Sequence, residues 1–339
     1  MMKLIDLVKY RNMLESIVSS NDNDLNFQNI ERPIFQELTK FNSTVNFESL
    51  DINNIKQKMF NTQQDILKNL ALLYNDLNRF IQELNKMISD LEPSYHAYSE
   101  EITMVDQNKS LQIKEHSYNY GTLFMTPPYL KKELSGPKKK FIGTMLKHIN
   151  FKWPGIEIGP VTGDLTKDLV ALDPLYLADN NENRFATIKQ LWNGLYQKRL
   201  RYYVLDDNLN NPLQDLPKNQ FGFIVSVDWF NFKPQSVIER YVQAAFDILR
   251  PGGVMLFTYN NCNYPKAVDK VDEMQYSYTN GNTLKQFCKS IGFEIVSSYD
   301  GEKEINWCVS WLELKKPGEL TSIRGGQNLA AINQLWREE

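Results

Sequence analysis

The feature that most constrains the fold is a short apolar segment followed at once by a glycine turn. Residues 156–159 read Ile-Glu-Ile-Gly, the turn closes at Gly163, and a helical pattern begins at Asp164. A strand, a glycine turn and a helix in this order form the nucleoside- or phosphate-binding corner of a doubly wound sheet. The glycine spacing departs from the G-x-G-x-x-G pattern of dinucleotide-binding proteins, which argues against a nicotinamide-dependent oxidoreductase. The segment therefore predicts an α/β domain with a ligand-binding crevice.

Strand and helix patterns alternate after this corner. An apolar strand at residues 175–178 ends at Asp179, and an acid at this point can accept both hydrogen bonds of a ribose diol. Another strand, residues 201–205, is followed by Asp206 and Asp207. The remaining elements are predicted as a strand at residues 221–226, a helix, Pro-Gly-Gly turn and fifth strand over 245–257, a helix at 284–291, and strands at 293–298 and 305–314.

Together these segments resemble the class I S-adenosylmethionine-dependent methyltransferases over about residues 141–316. GIEIGPVTGDLTKDL is similar to the family's first motif, commonly E/D-x-G-x-G-x-G, and residues 245–257 are similar to its helix, turn and fifth strand. The resemblance implies a Rossmann-like, doubly wound, seven-stranded α/β sheet with an antiparallel last strand. It implies S-adenosylmethionine as cofactor and S-adenosylhomocysteine as product. Two positions depart from the pattern: Val161 replaces the middle glycine, and Gly222 stands where an aspartate is common.

The resemblance also implies a cofactor site at the strand ends. Glu157 would act near the methionine amino group, and Asp206 or Asp207 would face the adenine amino group. Glycines would let the backbone approach the ligand without side-chain obstruction. The cofactor-binding residues that it implies are Glu157, Gly159, Pro160, Gly163, Asp179, Asn180, Asp206, Asp207 and Ser226.

The acceptor of the methyl group is expected just beyond the fourth and fifth strands. The candidate catalytic residues there are Asp228, Trp229, Tyr259 and Asn260. Asp228 would orient or deprotonate the acceptor, and Trp229 would line the pocket. The alternative interpretation makes Asp228 a loop acid and Trp229 a packing residue.

The first part of the chain has a different character, with a long helix predicted over about residues 53–91. Its apolar residues follow a heptad repeat, and a second apolar column lies one position later, so the stripe is wider than a two-stranded coiled coil needs. The neighbours of this helix are either helices at about 3–20 and 32–41 or other copies of the chain or a protein partner. Glu92-Pro93 is predicted to end it, because proline interrupts helical hydrogen bonding.

These patterns divide the chain into four parts. Residues 1–95 form a helical, coiled-coil-like region, 96–140 a connector, 141–316 the methyltransferase-like domain, and 317–339 a tail or helix. The connector contains an aromatic group at residues 118–124 and a lysine-rich stretch at 131–140.

Composition excludes several classes of function. With 38 basic and 41 acidic residues, the net charge of -3 argues against a general nucleic-acid-binding protein. No apolar run is long enough to span a membrane and no signal peptide is evident, so we expect a cytoplasmic protein. The three cysteines and three histidines show no metal-binding spacing, and no metal is expected. The asparagine- and lysine-rich composition is typical of AT-rich genomes, including those of phages, for which a virion location is the corresponding expectation.

Two hypotheses of function follow from the sequence. The first is an active methyltransferase acting on an unidentified acceptor. The second is a methyltransferase fold that has lost catalysis and serves in assembly, with the long helix contacting other subunits or a partner. Val161 and Gly222 favour the second, whereas the acids at positions 157, 179, 206 and 207 favour the first.

Overall fold

The computed structural model describes residues 3–19, 66–105, 136–160, 163, 165–190, 194–273, 275–300 and 310–321. The chain divides into two compact units, Met1–Tyr95 and His96–Glu339. The predicted aromatic group at 118–124, the lysines before residue 136 and the predicted helix at 32–41 lie outside the described residues. Val161 and Asp164 also lie outside them.

The first unit contains helix α1, Leu4–Ser19, and most of helix α2, Ile66–Val105. The buried apolar side chains of α2 in this unit follow both predicted columns of the heptad pattern. They are Leu77, Phe80, Ile81, Leu84 and Ile88. Helix α1 buries an apolar set of its own: Leu4, Leu7, Val8 and Leu14. The wide apolar stripe is therefore a buried surface over the described turns.

The prediction that Glu92-Pro93 ends the long helix is wrong, because α2 continues through Pro93 to Val105. A proline removes one helical hydrogen bond. Contacts within the second unit hold the turns that follow it. The backbone N–H of Tyr278 donates to Ser99 Oγ at 2.8 Å, and the His96 ring lies edge-on to the Tyr278 ring at 4.9 Å.

The second unit is built on a seven-stranded sheet with the order β3-β2-β1-β4-β5-β7-β6. Strands β1 to β5 are parallel, and β7 is antiparallel to both β5 and β6. The strands are β1 Gly155–Ile158, β2 Leu175–Asp179, β3 Leu200–Val204, β4 Phe221–Ser226, β5 Leu249–Tyr259, β6 Glu294–Tyr299 and β7 Ser310–Lys315. This order, with its reversed last strand, is that of the class I methyltransferase fold, as the sequence predicts.

Helices cover both faces of the sheet. Helix α3 and the segments after β1 and β2 contribute to one apolar core, and helices α6 and α8 contribute to the other. The bounds are α3 Gly136–His148, α4 Asn183–Gln190, α5 Gly194–Gln197, α6 Gln235–Ile248, α7 Pro265–Asp272 and α8 Gly281–Ser290. No helix within these described ranges is long and apolar enough to cross a membrane.

Three local features differ from the simplest expectation. The helix predicted after the glycine turn is only a four-residue 3-10 helix, Thr166–Leu169. The Pro-Gly-Gly turn lies inside β5, where the pairing with β4 skips from Leu249 to Val254. Packing explains the glycine at position 222, because a Cβ there would lie 2.0 Å from the Trp153 ring.

Lys316 closes the carboxyl end of helix α6. Its ammonium donates to the carbonyl oxygens of Phe246 and Leu249 at 2.7 and 2.8 Å, and to Asn219 Oδ1 at 2.8 Å. A cation at this end of a helix satisfies carbonyl groups that have no partner within the helix. The link fixes α6 to the segment after β7.

Candidate functional site

The carboxyl ends of the central parallel strands meet at one edge of the sheet. Strand order reverses between β1 and β4, since the chain proceeds to β2 and β3 on one side and to β4 and β5 on the other. Ligands of doubly wound folds bind in the crevice at such a switch point. Ser226 links the ends of β4 and β1 at this point, because its buried hydroxyl donates to the Ile158 carbonyl oxygen at 3.1 Å.

The turn after β1 requires glycine. Gly159 and Gly163 have φ angles of +72° and +79°, which L-residues rarely adopt. Gly163 N–H donates to the Pro160 carbonyl oxygen at 2.8 Å, so the turn is closed by its own backbone. Glu157 is buried within β1 and accepts a 2.6 Å hydrogen bond from Thr166 Oγ1. This acid therefore ties the strand to the short 3-10 helix.

The space beside Gly159 is filled by Trp229. A Cβ at Gly159 would lie 2.3 Å from the indole ring, and only 1% of Trp229 is exposed. Lys233 lies over the same ring, with its nitrogen 4.4 Å from the ring centroid. The Trp229 side chain therefore occupies the space that the missing side chain of Gly159 leaves free.

Asp179 is fully buried at the end of β2 and paired with an arginine. Arg184 Nη1 donates to both carboxylate oxygens, at 2.9 and 3.1 Å, and the Asn181 N–H donates to Oδ1 at 2.9 Å. The exposed fractions of the two side chains are 0% for Asp179 and 11% for Arg184. The acid predicted to bind ribose is therefore bound internally.

The two acids after β3 play different parts. Asp206 is exposed and accepts from the backbone and side chain of Asn208, at 2.9 and 3.0 Å, which is a local turn. Asp207 is paired with the Lys233 ammonium and accepts 2.6 Å and 3.4 Å hydrogen bonds from Tyr241 and Asn180. Burial raises the pKa of Tyr241 well above its ordinary value, and the charge of Asp207 raises it further, so this hydroxyl stays a neutral donor.

Asp228 occupies a strained position directly after β4. Its φ of +54° lies in the left-handed region, which aspartate tolerates better than most residues. Its N–H donates to Thr258 Oγ1 at 2.7 Å, and its carboxylate accepts from Asn231 Nδ2 at 3.1 Å. Such strain concentrates at functional sites, where the surrounding structure maintains it. Asp228 is also half-buried, whereas the other three predicted catalytic residues are buried.

Tyr259 and Asn260 belong to the interior. Asn260 Nδ2 donates to the carbonyl oxygens of Ala267 in helix α7 and of Ser277 in the segment after that helix, both at 3.1 Å. Tyr259 is fully buried in the core that contains α6 and α8, and burial raises the pKa of its hydroxyl well above the ordinary value. These contacts make both residues structural in the described arrangement, while their predicted catalytic role stays a prediction.

Among the described residues, groups predicted to bind S-adenosylmethionine already have contacts within the protein. A ribose diol would need the carboxylate of Asp179, which is buried and bonded to Arg184. A ligand above the glycine turn would need the space that Trp229 fills. The predicted residues lie at one edge of the sheet, but the carboxylates of Asp179 and Asp207 are already bound by other side chains of the protein.

Sequence reasoning missed the residues that occupy these groups: Arg184, Lys233, Tyr241, Thr166 and Asn231. One signal was available, since Arg184 lies five residues after Asp179 and near the start of the following helix. Lys233 and Tyr241, which contact Asp207, come from beyond β4, and nothing in the linear pattern indicates them. Among the described residues no three of His, Cys, Asp and Glu are grouped to hold a metal ion.

Comparisons with known proteins agree with the fold and are silent on activity. No protein-family profile and no curated protein matches the chain. Among solved structures, an S-adenosylmethionine-dependent methyltransferase from Mesorhizobium loti is similar at 12% identity, over 54% of this chain and 99% of that one, with a TM-score of 0.44. A methyltransferase from Aquifex aeolicus is similar at 13% identity, over 56% and 98% of the two chains, with a TM-score of 0.38.

A third similar structure contains bound ligands. It is Haemonchus contortus phosphoethanolamine N-methyltransferase 2 in complex with phosphomonomethylethanolamine and S-adenosylhomocysteine. Its identity is 14%, over 63% of this chain and 59% of that one, with a TM-score of 0.44. At these identities the likeness concerns the fold alone, and the ligands are those of the other protein.

Proposed function

We propose that the second unit is an S-adenosylmethionine-dependent methyltransferase whose cofactor crevice lies at the carboxyl ends of β1, β2 and β3. The observation that carries the proposal is the convergence of Glu157, Asp179 and Asp207 with the glycine turn at the switch point of the sheet. Acids at neighbouring strand ends beside a glycine turn are the groups that the resemblance to the S-adenosylmethionine-dependent methyltransferases implies for cofactor binding.

Asp228 is the proposed acceptor-side group. It lies directly after β4, its backbone is strained, and Asn231 holds its carboxylate. A carboxylate so placed can accept a hydrogen bond from an acceptor N–H or O–H group and orient its nucleophilic atom. The methyl group itself would come from the cofactor's sulfonium, so that no further chemical group is demanded of the protein.

Calorimetric titration with S-adenosylmethionine and S-adenosylhomocysteine tests the proposal. The wild-type protein is expected to bind in the micromolar range, and Asp179→Ala is expected to abolish binding. Asp173→Ala is the matched control, since Asp173 pairs with Arg199 at 3.2 Å just before β2, away from the strand's carboxyl end. Circular dichroism establishes that each variant is folded. No binding by the folded wild-type protein, at concentrations well above the micromolar range, would overturn the proposal.

The second candidate function is an interaction protein on a methyltransferase fold without catalysis. The ion pair of Asp179 with Arg184 favours this candidate. In a protein that never binds a ribose, Arg184 can pair with Asp179 without blocking a ligand. In that case the long helix α2 would supply the contact with other subunits or a partner. The same titration separates the two candidates.

A further inference from the structure

We infer that Arg184 gates the crevice by competing with the ribose diol for Asp179, and that Trp229 closes the same crevice above the glycine turn. The inference rests on the proposed function and makes the described arrangement its closed state. Opening requires the departure of two side chains.

The competition at Asp179 is direct. A ribose diol presents two hydroxyl donors, and the carboxylate would have to accept both. Arg184 Nη1 lies 2.9 and 3.1 Å from the two oxygens, and the Asn181 N–H already occupies Oδ1. With Asp179 fully buried, a diol reaches it only after the guanidinium leaves.

Arg184 is placed so that it can leave. It lies in the first turn of helix α4, and its side chain keeps 11% of its surface exposed. A rotation of the side chain therefore transfers the charged group to water without moving the strand that carries Asp179. The helix backbone fixes where the guanidinium returns.

The position of Trp229 is linked to Asp207 through Lys233. Trp229 fills the space beside Gly159, and Lys233 contacts both the Trp229 ring and the Asp207 carboxylate. Lys233 is itself 5% exposed, so the contact is part of the interior. Moving Trp229 away from the turn thus requires rearranging a cation that also holds the end of β3.

The closed state has a measurable consequence for affinity. The apparent dissociation constant of a ligand equals its intrinsic value divided by the fraction of open protein. Weakening the closing contact raises that fraction and tightens binding without adding any contact to the ligand. Arg184→Gln keeps a polar side chain near the buried carboxylate while removing the charge that competes with the diol, so the fold is less at risk than with alanine.

The experiment is calorimetric titration of S-adenosylhomocysteine into the wild-type protein, Arg184→Gln and Arg199→Gln. Arg199 is the matched control, because it also pairs with an aspartate beside β2 but before the start of the strand. We expect Arg184→Gln to bind about tenfold more tightly than wild type, and Arg199→Gln to bind as wild type does.

The outcomes separate the gate from the proposed function. Equal or weaker binding by Arg184→Gln, with clear binding by wild type, overturns the gate and leaves the methyltransferase proposal standing. No binding by any of the folded variants overturns both. A second readout is the change in tryptophan fluorescence on binding. Comparison with Trp229→Phe isolates the contribution of Trp229, and an unchanged Trp229 signal in a protein that binds overturns its part in the closure.

Discussion

Replacing Gly159 with alanine should destabilise the second unit through two separable effects. The φ of +72° costs an L-residue about 1 to 2 kcal/mol. The new Cβ would lie 2.3 Å from the Trp229 ring, and forcing extra volume into a packed interior costs about 1 to 3 kcal/mol. The free energy of unfolding should therefore fall by about 2 to 5 kcal/mol.

Urea unfolding followed by tryptophan fluorescence measures the free energy of unfolding of the second unit, where Gly159 lies. All six tryptophans of the chain lie beyond residue 150, within the unit His96–Glu339. Gly143→Ala is the matched control, because Gly143 lies in helix α3 with nothing within 4 Å of its added Cβ. That variant should gain about 0.5 to 1 kcal/mol from helix propensity.

A double-mutant cycle separates the two effects. Trp229→Leu removes the ring atoms that lie 2.3 and 2.7 Å from the new methyl group and keeps the Cβ at 3.0 Å, so Gly159→Ala should cost less in that background than in the wild-type protein. Two results would refute the reasoning. One is a Gly159→Ala protein as stable as wild type, and the other is an equal cost in both backgrounds, which would mean that Trp229 does not pack on the turn.

Three further predictions concern groups outside the crevice. Lys316→Met should lower the free energy of unfolding by about 1 to 3 kcal/mol in urea titrations, because it removes three hydrogen bonds at the end of α6; no change would mean that water satisfies those carbonyls equally well. Burial alone would raise the pKa of Glu313, but hydrogen bonds from His148 and Ser297 lower it overall. The ionised Glu313 side chain therefore adds to the free energy of unfolding above about pH 4.3, and this addition is lost as the pH falls through the lower folded-state pKa. The difference in free energy of unfolding between wild type and Glu313→Gln, measured by urea titration, should shrink in acid. A difference that grows in acid would mean that folding raises the pKa of Glu313. Burial raises the pKa of Cys288 to about 12, so mass spectrometry should find it unmodified by iodoacetamide in native protein at pH 8 and modified after unfolding; rapid native labelling would contradict that burial.

The sequence predicted the sheet well, since most of its strands are separate apolar runs with clear ends. Strand β4 lies at residues 221–226 as predicted, and β2 ends at Asp179 as predicted. Both glycines of the turn after β1 have the positive φ that their position in the motif requires. Periodicity and glycine placement are local properties, and a sequence displays them directly.

Prediction failed where a distant contact overrides a local rule. Proline is a helix breaker by its own chemistry, yet α2 continues past Pro93 to turns that contact Tyr278, a residue far away in sequence. Gly222 seemed a departure from the family pattern, but Trp153 lies against it and leaves no room for a side chain.

The sequence by itself determined the order of strands and helices, the glycine turn, and the placing of acids at neighbouring strand ends. Only the tertiary structure decided what those acids bind. Asp179 is paired with Arg184 and Asp207 with Lys233, while Trp229 fills the space beside Gly159. The physical reason is that backbone patterning follows from residues near in sequence, whereas the partner of a buried charge is chosen among all groups that folding brings within hydrogen-bonding distance.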